Sequence, residues 1–274
     1  MVRLLLWIVV ELKLLTSIMK KIFGILIFIL FFVFLAHEVR ADYATAYQTY
    51  INKTGVYQSA YSDYQVARSN YLASQSLDSQ DKAIAATLKM LQARDDVMAS
   101  YLSAIIAKGD KILSPTTLNT EVNWYNAHNN RLASAGSLND LVSDSDEAKN
   151  EYQTITLPII YQSIVALGVG NNTYIRGELV NEIAILQAKI DQIKANQDKD
   201  VSLIERSLVD VQNKISRSQD KDNSAKNLIN SIKPNDNQID NDFQDAESLV
   251  ADSNSYLKEA NQELLQIITE IKSN

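Results

Sequence analysis

The chain has 274 residues, 46% of them apolar, with 7 glycines, 3 prolines, no cysteine and a formal charge of −7. Few turn formers and many helix formers argue for few, long helices and against an all-β fold. The lack of cysteine excludes disulfides, thiolate nucleophiles and cysteine-based metal sites, and the acidic balance argues against a general nucleic-acid role.

Residues 1–18 fit no standard leader layout and are expected to be a gene-call extension, with translation beginning at Met19. Residues 19–41, MKKIFGILIFILFFVFLAHEVRA, have a basic start at Lys20-Lys21, an apolar run from Ile22 to Ala36, and Val39 and Ala41 at the −3 and −1 places. That is a secretory signal peptide with cleavage before Asp42. The run is about fifteen residues, short of the ~20 a spanning helix needs, so the chain meets a membrane only if this leader is retained. The expected location is the periplasm, the cell surface or the medium. His37 lies within the leader, so His128 is the only histidine of the exported chain.

Residues 42–113 read as a helical hairpin. Tyr43, Tyr47, Tyr50, Tyr57, Tyr61, Tyr64 and Tyr71 step 4-3-7-4-3-7, a heptad seam on one face of a helix. SQSLDS, Ser74 to Ser79, is a polar turn, and Ile84, Leu88, Leu91, Asp95, Met98, Leu102 and Ile105 then repeat the 4-3 spacing. Folding about residues 76–77 sets Asp95 opposite Tyr57. A carboxylate on a seam needs donors, and the Tyr57 or Tyr61 hydroxyl is the expected one. Gly55 lies mid-helix and is expected to permit a slight bend.

Residues 114–170 read as shorter helices. Ser114-Pro115 is a helix start, and Leu118, Val122, Tyr125 and Leu132 mark its apolar face. Ala135-Gly136-Ser137 stops it. A further helical pattern runs from Leu138 to Leu167, with Pro158 expected to kink or break it. GVGNNT, Gly168 to Thr173, reads as the clearest turn between helices.

Residues 171–274 read as long coiled-coil helices. Ile183, Leu186, Ile190 and Ile193 keep heptad spacing, which Ile204, Leu208, Val211 and Ile215 resume after an eleven-residue step. A continuous helix is expected there because no Gly or Pro interrupts it; a turn at NQDKD, Asn196 to Asp200, is the alternative. After Pro234, Ile239, Phe243, Ala246, Val250, Ser253, Leu257, Ala260, Leu264, Ile267 and Ile271 step 4-3 throughout. The expected fold is all-α, an elongated antiparallel helical bundle.

The repeated tyrosines, Ala67-Arg68, SLDSQDKA and LQARD, over residues 43–110, resemble uncharacterised exported helical proteins of candidate-phylum bacteria. The resemblance implies a helical fold and export, and no activity.

One histidine rules out a catalytic triad or a two-histidine metal site within one chain. Gly168-Val169-Gly170 lacks the strand, third glycine and lysine of a phosphate loop. DNQIDNDFQDAE offers a calcium-loop pattern, with Asp236, Asp240 and Glu247 at positions 1, 5 and 12, Gln238 departing from it at position 3, and an acidic helix cap as the plainer reading. No other cofactor is implied. The run from Ile155 to Val169 could be a membrane-seeking segment or a helix buried on several sides, and the tyrosine stripe could be a glycan platform if left uncovered. Carboxylate pairs such as Asp95/Asp96 and Asp144/Asp146 carry no mark separating them from a solvated acidic surface. The reading is therefore a non-enzymatic exported bundle, structural or protein-binding, that presents helix faces to a partner or a second copy; the alternative is a ligand-binding protein for calcium or cell-wall glycan.

Overall fold

The computed structural model describes residues 41–109, 112–195, 200–233 and 237–273. The first eighteen residues, the leader up to Arg40, Asn196 to Lys199 of the alternative turn, Pro234 and Asp236 lie outside them. The chain divides into two units, Met1–Ala44, of which only the first helical turn is described, and Thr45–Asn274, which holds everything below.

Seven α-helical segments and no strand occur among the described residues: α1 (Ala41–Ser74), α2 (Leu77–Gly109), α3 (Pro115–Leu132), α4 (Leu138–Glu151), α5 (Leu157–Ala195), α6 (Ser202–Asn230) and α7 (Ile239–Ser273). This is an all-α helical bundle.

α1 and α2 form the expected antiparallel hairpin. Tyr50 meets Tyr101 with ring centroids 5.2 Å apart, Lys53 pairs with Asp96 at 2.6 Å, and Asp63 with Lys89 at 3.3 Å. The three pairings fold the chain about residues 74–76. Gln75 adopts a left-handed φ of 47°, ending α1, and Ser76 Oγ accepts from the Ser79 amide, starting α2. The six seam tyrosines from Tyr47 to Tyr71 are buried or half-buried, with Tyr50, Tyr57 and Tyr64 each 6% exposed, and Tyr43, in the first unit, is half-buried as well. A ring brings a large apolar area with a polar tip, which suits a seam whose margins are wet.

α3 returns antiparallel to α2, and α4 returns antiparallel to α3. Leu91, Leu132 and Leu141 join these three helices in one core cluster. Ser114 and Pro115 begin α3 as the sequence suggests. Ser137 caps α4 by accepting from the Asp140 amide at 3.2 Å, while Asp140 accepts from the Gly136 amide at 3.0 Å.

Pro158 does not break the helix. α4 and α5 run on through a π-helical turn, Tyr152–Thr156, into one rod, Leu138–Ala195. Pro158 has no N–H for the carbonyl four residues back, and a widened turn just before it absorbs the missing bond. Its apolar stretch buries Ile160, Tyr161, Ile164, Val165 and Val169. This rod is long and apolar enough by composition to cross a membrane, yet 44% of its most apolar window is buried inside the protein.

GVGNNT is not a turn. It lies inside α5, so the boundary expected at residue 170 falls mid-helix. Its glycines serve close packing instead. A Cβ at Gly168 would lie 2.7 Å from Val250 Cγ1 of α7, and one at Gly170 would lie 2.6 Å from Ile112 Cγ2. The single helix expected across residues 173–232 is two, since α5 ends at Ala195 and α6 begins at Ser202. The eleven-residue step was the signature of a reversal: Lys194 pairs with Glu205 at 2.7 Å across it.

α5, α6 and α7 form the second bundle. α6 is antiparallel to α5 and α7, whereas α5 and α7 run parallel with an offset of about eighty residues. Its core holds Leu179, Ile183, Leu186, Ile190, Ile204, Leu208, Val211, Leu257, Leu264 and Ile267, the heptad positions of the sequence.

The glycines give a direct check. Gly55 has nothing within 4 Å of an added Cβ. Gly55→Ala should therefore stabilise the protein by up to about 1 kcal/mol through helix propensity. Gly168→Ala should destabilise it despite the same gain, and Val250→Ala in the same chain should restore at least about 1 kcal/mol of coupling, read by urea unfolding in a double-mutant cycle.

Candidate functional site

The densest buried polar chemistry lies where α2, α3 and α4 meet. Along α3, Leu118, Glu121, Tyr125, His128 and Leu132 are the buried positions. They step 3-4-3-4, so two ionisable groups stand on the apolar seam itself. A carboxylate or imidazole there must find partners from neighbouring helices.

His128, 1% exposed, reaches Asp95 of α2, 0% exposed, with Nδ1 2.5 Å from Oδ2. Its Nε2 lies 3.1 Å from the Asp144 backbone carbonyl of α4. A carbonyl can only accept, so Nε2 carries a hydrogen and donates, and a second proton is held between Nδ1 and Asp95. Trp124 stacks on the imidazole with centroids 5.0 Å apart and planes 10° from parallel. Arg94 supplies a longer contact to Asp95 Oδ1 at 3.4 Å and donates to Ser145 Oγ at 3.2 Å. One step outward, Asn129 donates to the Gln92 carbonyl and to Asp96, the carboxylate that also takes Lys53.

Asp95 is thus buried and hydrogen-bonded, as its seam position requires, but by His128 and Arg94 and not by Tyr57 or Tyr61. The residue points toward His128 of α3, and its neighbour Asp96 joins Lys53 of α1 to Asn129 of α3.

A second chain of hydroxyls runs beside the first. Tyr125 Oη is 3.1 Å from Thr156 Oγ1, which donates to Glu121 Oε2 at 2.7 Å. Thr156 belongs to the π turn, so the bulge aims this hydroxyl at α3. Burial holds the Glu121 carboxyl above its usual range, opposed by the Thr156 bond, and burial likewise raises the Tyr125 phenol.

The calcium-loop residues are arranged otherwise than in a loop. Asp240 and Glu247 stand on α7, in continuous helix from Ile239, where seven residues separate carboxylates by about 10 Å along the axis. Asp240 Oδ1 accepts from the Tyr161 hydroxyl at 2.7 Å, beside the stacked Tyr161–Phe243 rings at 3.9 Å. Burial lifts the Glu247 carboxyl to about 7. Asp236 lies outside the described residues.

The second bundle carries its own polar layer. Asn172, inside the expected turn, donates to Asp222 at 3.0 Å and to the Val250 carbonyl at 3.1 Å, and Arg176 pairs with the same Asp222. Asn254 donates to Asn172 at 3.2 Å, and Ser218 meets Ser253 at 2.8 Å.

What the first site offers chemically is a held proton and an oriented imidazole, both enclosed. Lone His128 drew no weight from the sequence, although a histidine and a glutamate at heptad positions of α3 were the available signal. Comparison of the chain with protein-family models, with curated proteins and with solved structures found no match in any of the three.

Two outcomes test this geometry. Thr156→Val should leave the Tyr125 hydroxyl and Glu121 short of partners and cost about 2–4 kcal/mol in urea unfolding, whereas Thr156→Ser should cost less. Glu247 has a folded pKa of about 7, above its unfolded value of 4.5. The folded state then binds its proton more tightly, so the contribution to stability is greatest below pH 4.5 and is lost as pH rises toward 7. Glu247→Gln should remove that slope, stabilising the protein at pH 8 relative to parent by on the order of 1 kcal/mol more than at pH 4, a figure discounted for partial exposure.

Proposed function

We propose that the chain is an exported, non-enzymatic helical bundle acting as a structural or protein-interaction module in the periplasm or at the cell surface. The observation that carries the reading is the division of labour on the helices of the second bundle. Their inner faces close on one another, while Val180, Ile185, Leu203, Val209 and Leu265 remain 50–70% exposed on the outside. Such side chains are available to a protein partner or to a second copy of the chain. The leader-like residues 19–41 support export, and the resemblance to exported helical proteins agrees with it.

The enclosed character of the His128 site supports a non-enzymatic role, because its imidazole and carboxylate are spent on each other and on the adjoining helices. A ligand-binding role for glycan has less support: the tyrosine stripe turns inward against α2. Calcium has less support for the reason that Asp240 and Glu247 stand two turns apart on a helix.

The test is crosslinking of the intact protein in its native cells, with amino-terminal sequencing of the recovered chain. The expected results are a discrete crosslinked species, diminished by Ile185→Glu with Leu203→Glu, and a chain beginning at Asp42. A chain that stays uncrosslinked at native abundance, or that is recovered from the cytoplasm with residues 2–18 attached, overturns the proposal.

A further inference from the structure

The link between α1 and α2 is short for the helices it joins. Gln75 and Ser76 alone reverse the chain between helices of 34 and 33 residues. The Gln75 amide still bonds the Tyr71 carbonyl, and the Ser76 carbonyl already accepts from the Gln80 amide, both at 2.9 Å. The reversal is made by the φ of 47° at Gln75, the one left-handed non-glycine position among the described residues. Helices that end this way usually place glycine there, because a Cβ crowds the following carbonyl. Between Gly55 and Gly109 the chain has neither glycine nor proline, so no residue of the link forbids helix.

The second observation is the phase of the two contact faces. On α2, Lys89 and Asp96 pair with α1 on one flank of the contact, and Tyr101 meets Tyr50 on the other. Between these flanks stand Ala83, Ala93, Val97 and Ser100, all buried, while Leu91 lies on the opposite side with Leu132 of α3. They follow the seam residues Tyr47, Tyr57, Tyr61 and Tyr64 by thirty-six residues each, which is ten full turns of helix. Were the link helical, both halves of the seam would fall on one stripe of one continuous helix. Two such helices, antiparallel about the link, would remake the α1–α2 contacts between chains instead of within one.

We propose that the hairpin opens at Gln75–Ser76 and that α1 is exchanged between two copies of the chain, each α1 seated on the α2 of the other. The closed chain and the exchanged pair share the same contacts and differ at the link. There the exchange replaces the left-handed Gln75 and the Ser76–Ser79 cap with uninterrupted helix. Short, strained links favour this kind of exchange, and rising concentration favours the pair. From Thr45 to Gly109 the joined helix would run about 100 Å at 1.5 Å per residue, with one α2 toward each end of a two-stranded rod. The inference gives the interaction module a second copy as partner and rests on that reading only for its use in the cell. Its surface is separate from Ile185 and Leu203, so the two can fail independently.

The experiment refolds the full purified chain from urea at high protein concentration and sizes it by light scattering. The parent is expected as a mixture of monomer and dimer. Gln75→Gly relaxes the closed link and weakens the helical one, so it should raise the dimer dissociation constant about tenfold or more, two links changing per dimer. Gln75→Ala with Ser76→Ala removes the cap and favours helix, and should lower it by a similar factor. Neither change touches the contact faces. Exchange itself is read in a chain without native cysteine. Lys53→Cys and Asp96→Cys chains are refolded together and joined by a short bismaleimide, and the mixed product should exceed either like-with-like product several-fold. A doubly substituted chain that stays monomeric, a dimer indifferent to Gln75→Gly, or a mixed product no more abundant than the others overturns the proposal.

Discussion

A carboxylate with no access to water, Asp95, sets the terms for the first half of the molecule. Its charge must be met inside the protein, and among the described residues the groups that meet it are His128, from the next helix, and more distantly Arg94. That demand fixes the rotation of α3 about its own axis. Once His128 is set, its other nitrogen reaches α4 and its ring carries Trp124. Removal of one member leaves the other buried and unpaired, which is why such a pair specifies an arrangement more sharply than leucines would. Leucine against leucine tolerates a shifted or rotated neighbour; an ion pair with a hydrogen bond does not.

The second bundle repeats the device with different chemistry. Asp222 of α6 is shared by Asn172 and Arg176 of α5, and Asn254 of α7 closes the layer through Asn172. This layer holds three helices in one register, where a long heptad pattern would otherwise allow slippage by a whole repeat. Both polar centres touch the same rod, Leu138–Ala195: His128 reaches the Asp144 carbonyl in its first turns, and Asn172 carries the second layer farther along. The π turn lets that rod pass Pro158 and turns Thr156 toward Glu121, so an accommodation of the backbone also completes a hydrogen-bond chain.

Particular residues show how far the sequence could be read. The tyrosine ladder could be assigned to a seam because seven phenols on a 4-3 spacing share one face whatever they touch. The reversal near residue 76 and the start at Ser114-Pro115 were visible for the same local reason. Asp95 was visible as a seam carboxylate in want of donors, but its donor was not, because a heptad seam has two flanks and a single helix cannot say which neighbour lies on each. His128 was legible as a lone histidine without a partner in sight, and Glu121 was passed over because Val122 offered a plausible apolar place beside it. GVGNNT was read as a turn from composition; glycine serves equally where one helix must approach another closely, and Val250 is eighty residues away.

Periodicity by itself determined that the chain is helical, where most helices start and which stripe of each is buried. These follow from 3.6 residues per turn and the cost of exposing apolar area, both local properties. Tertiary structure alone decided that α5 passes through its glycines, that the chain reverses after Ala195 instead of continuing, and that Asp95, His128 and Asp144 come together from three helices. Those outcomes depend on which faces meet, and the free energy that selects among meetings resides in pairs of residues far apart in the chain.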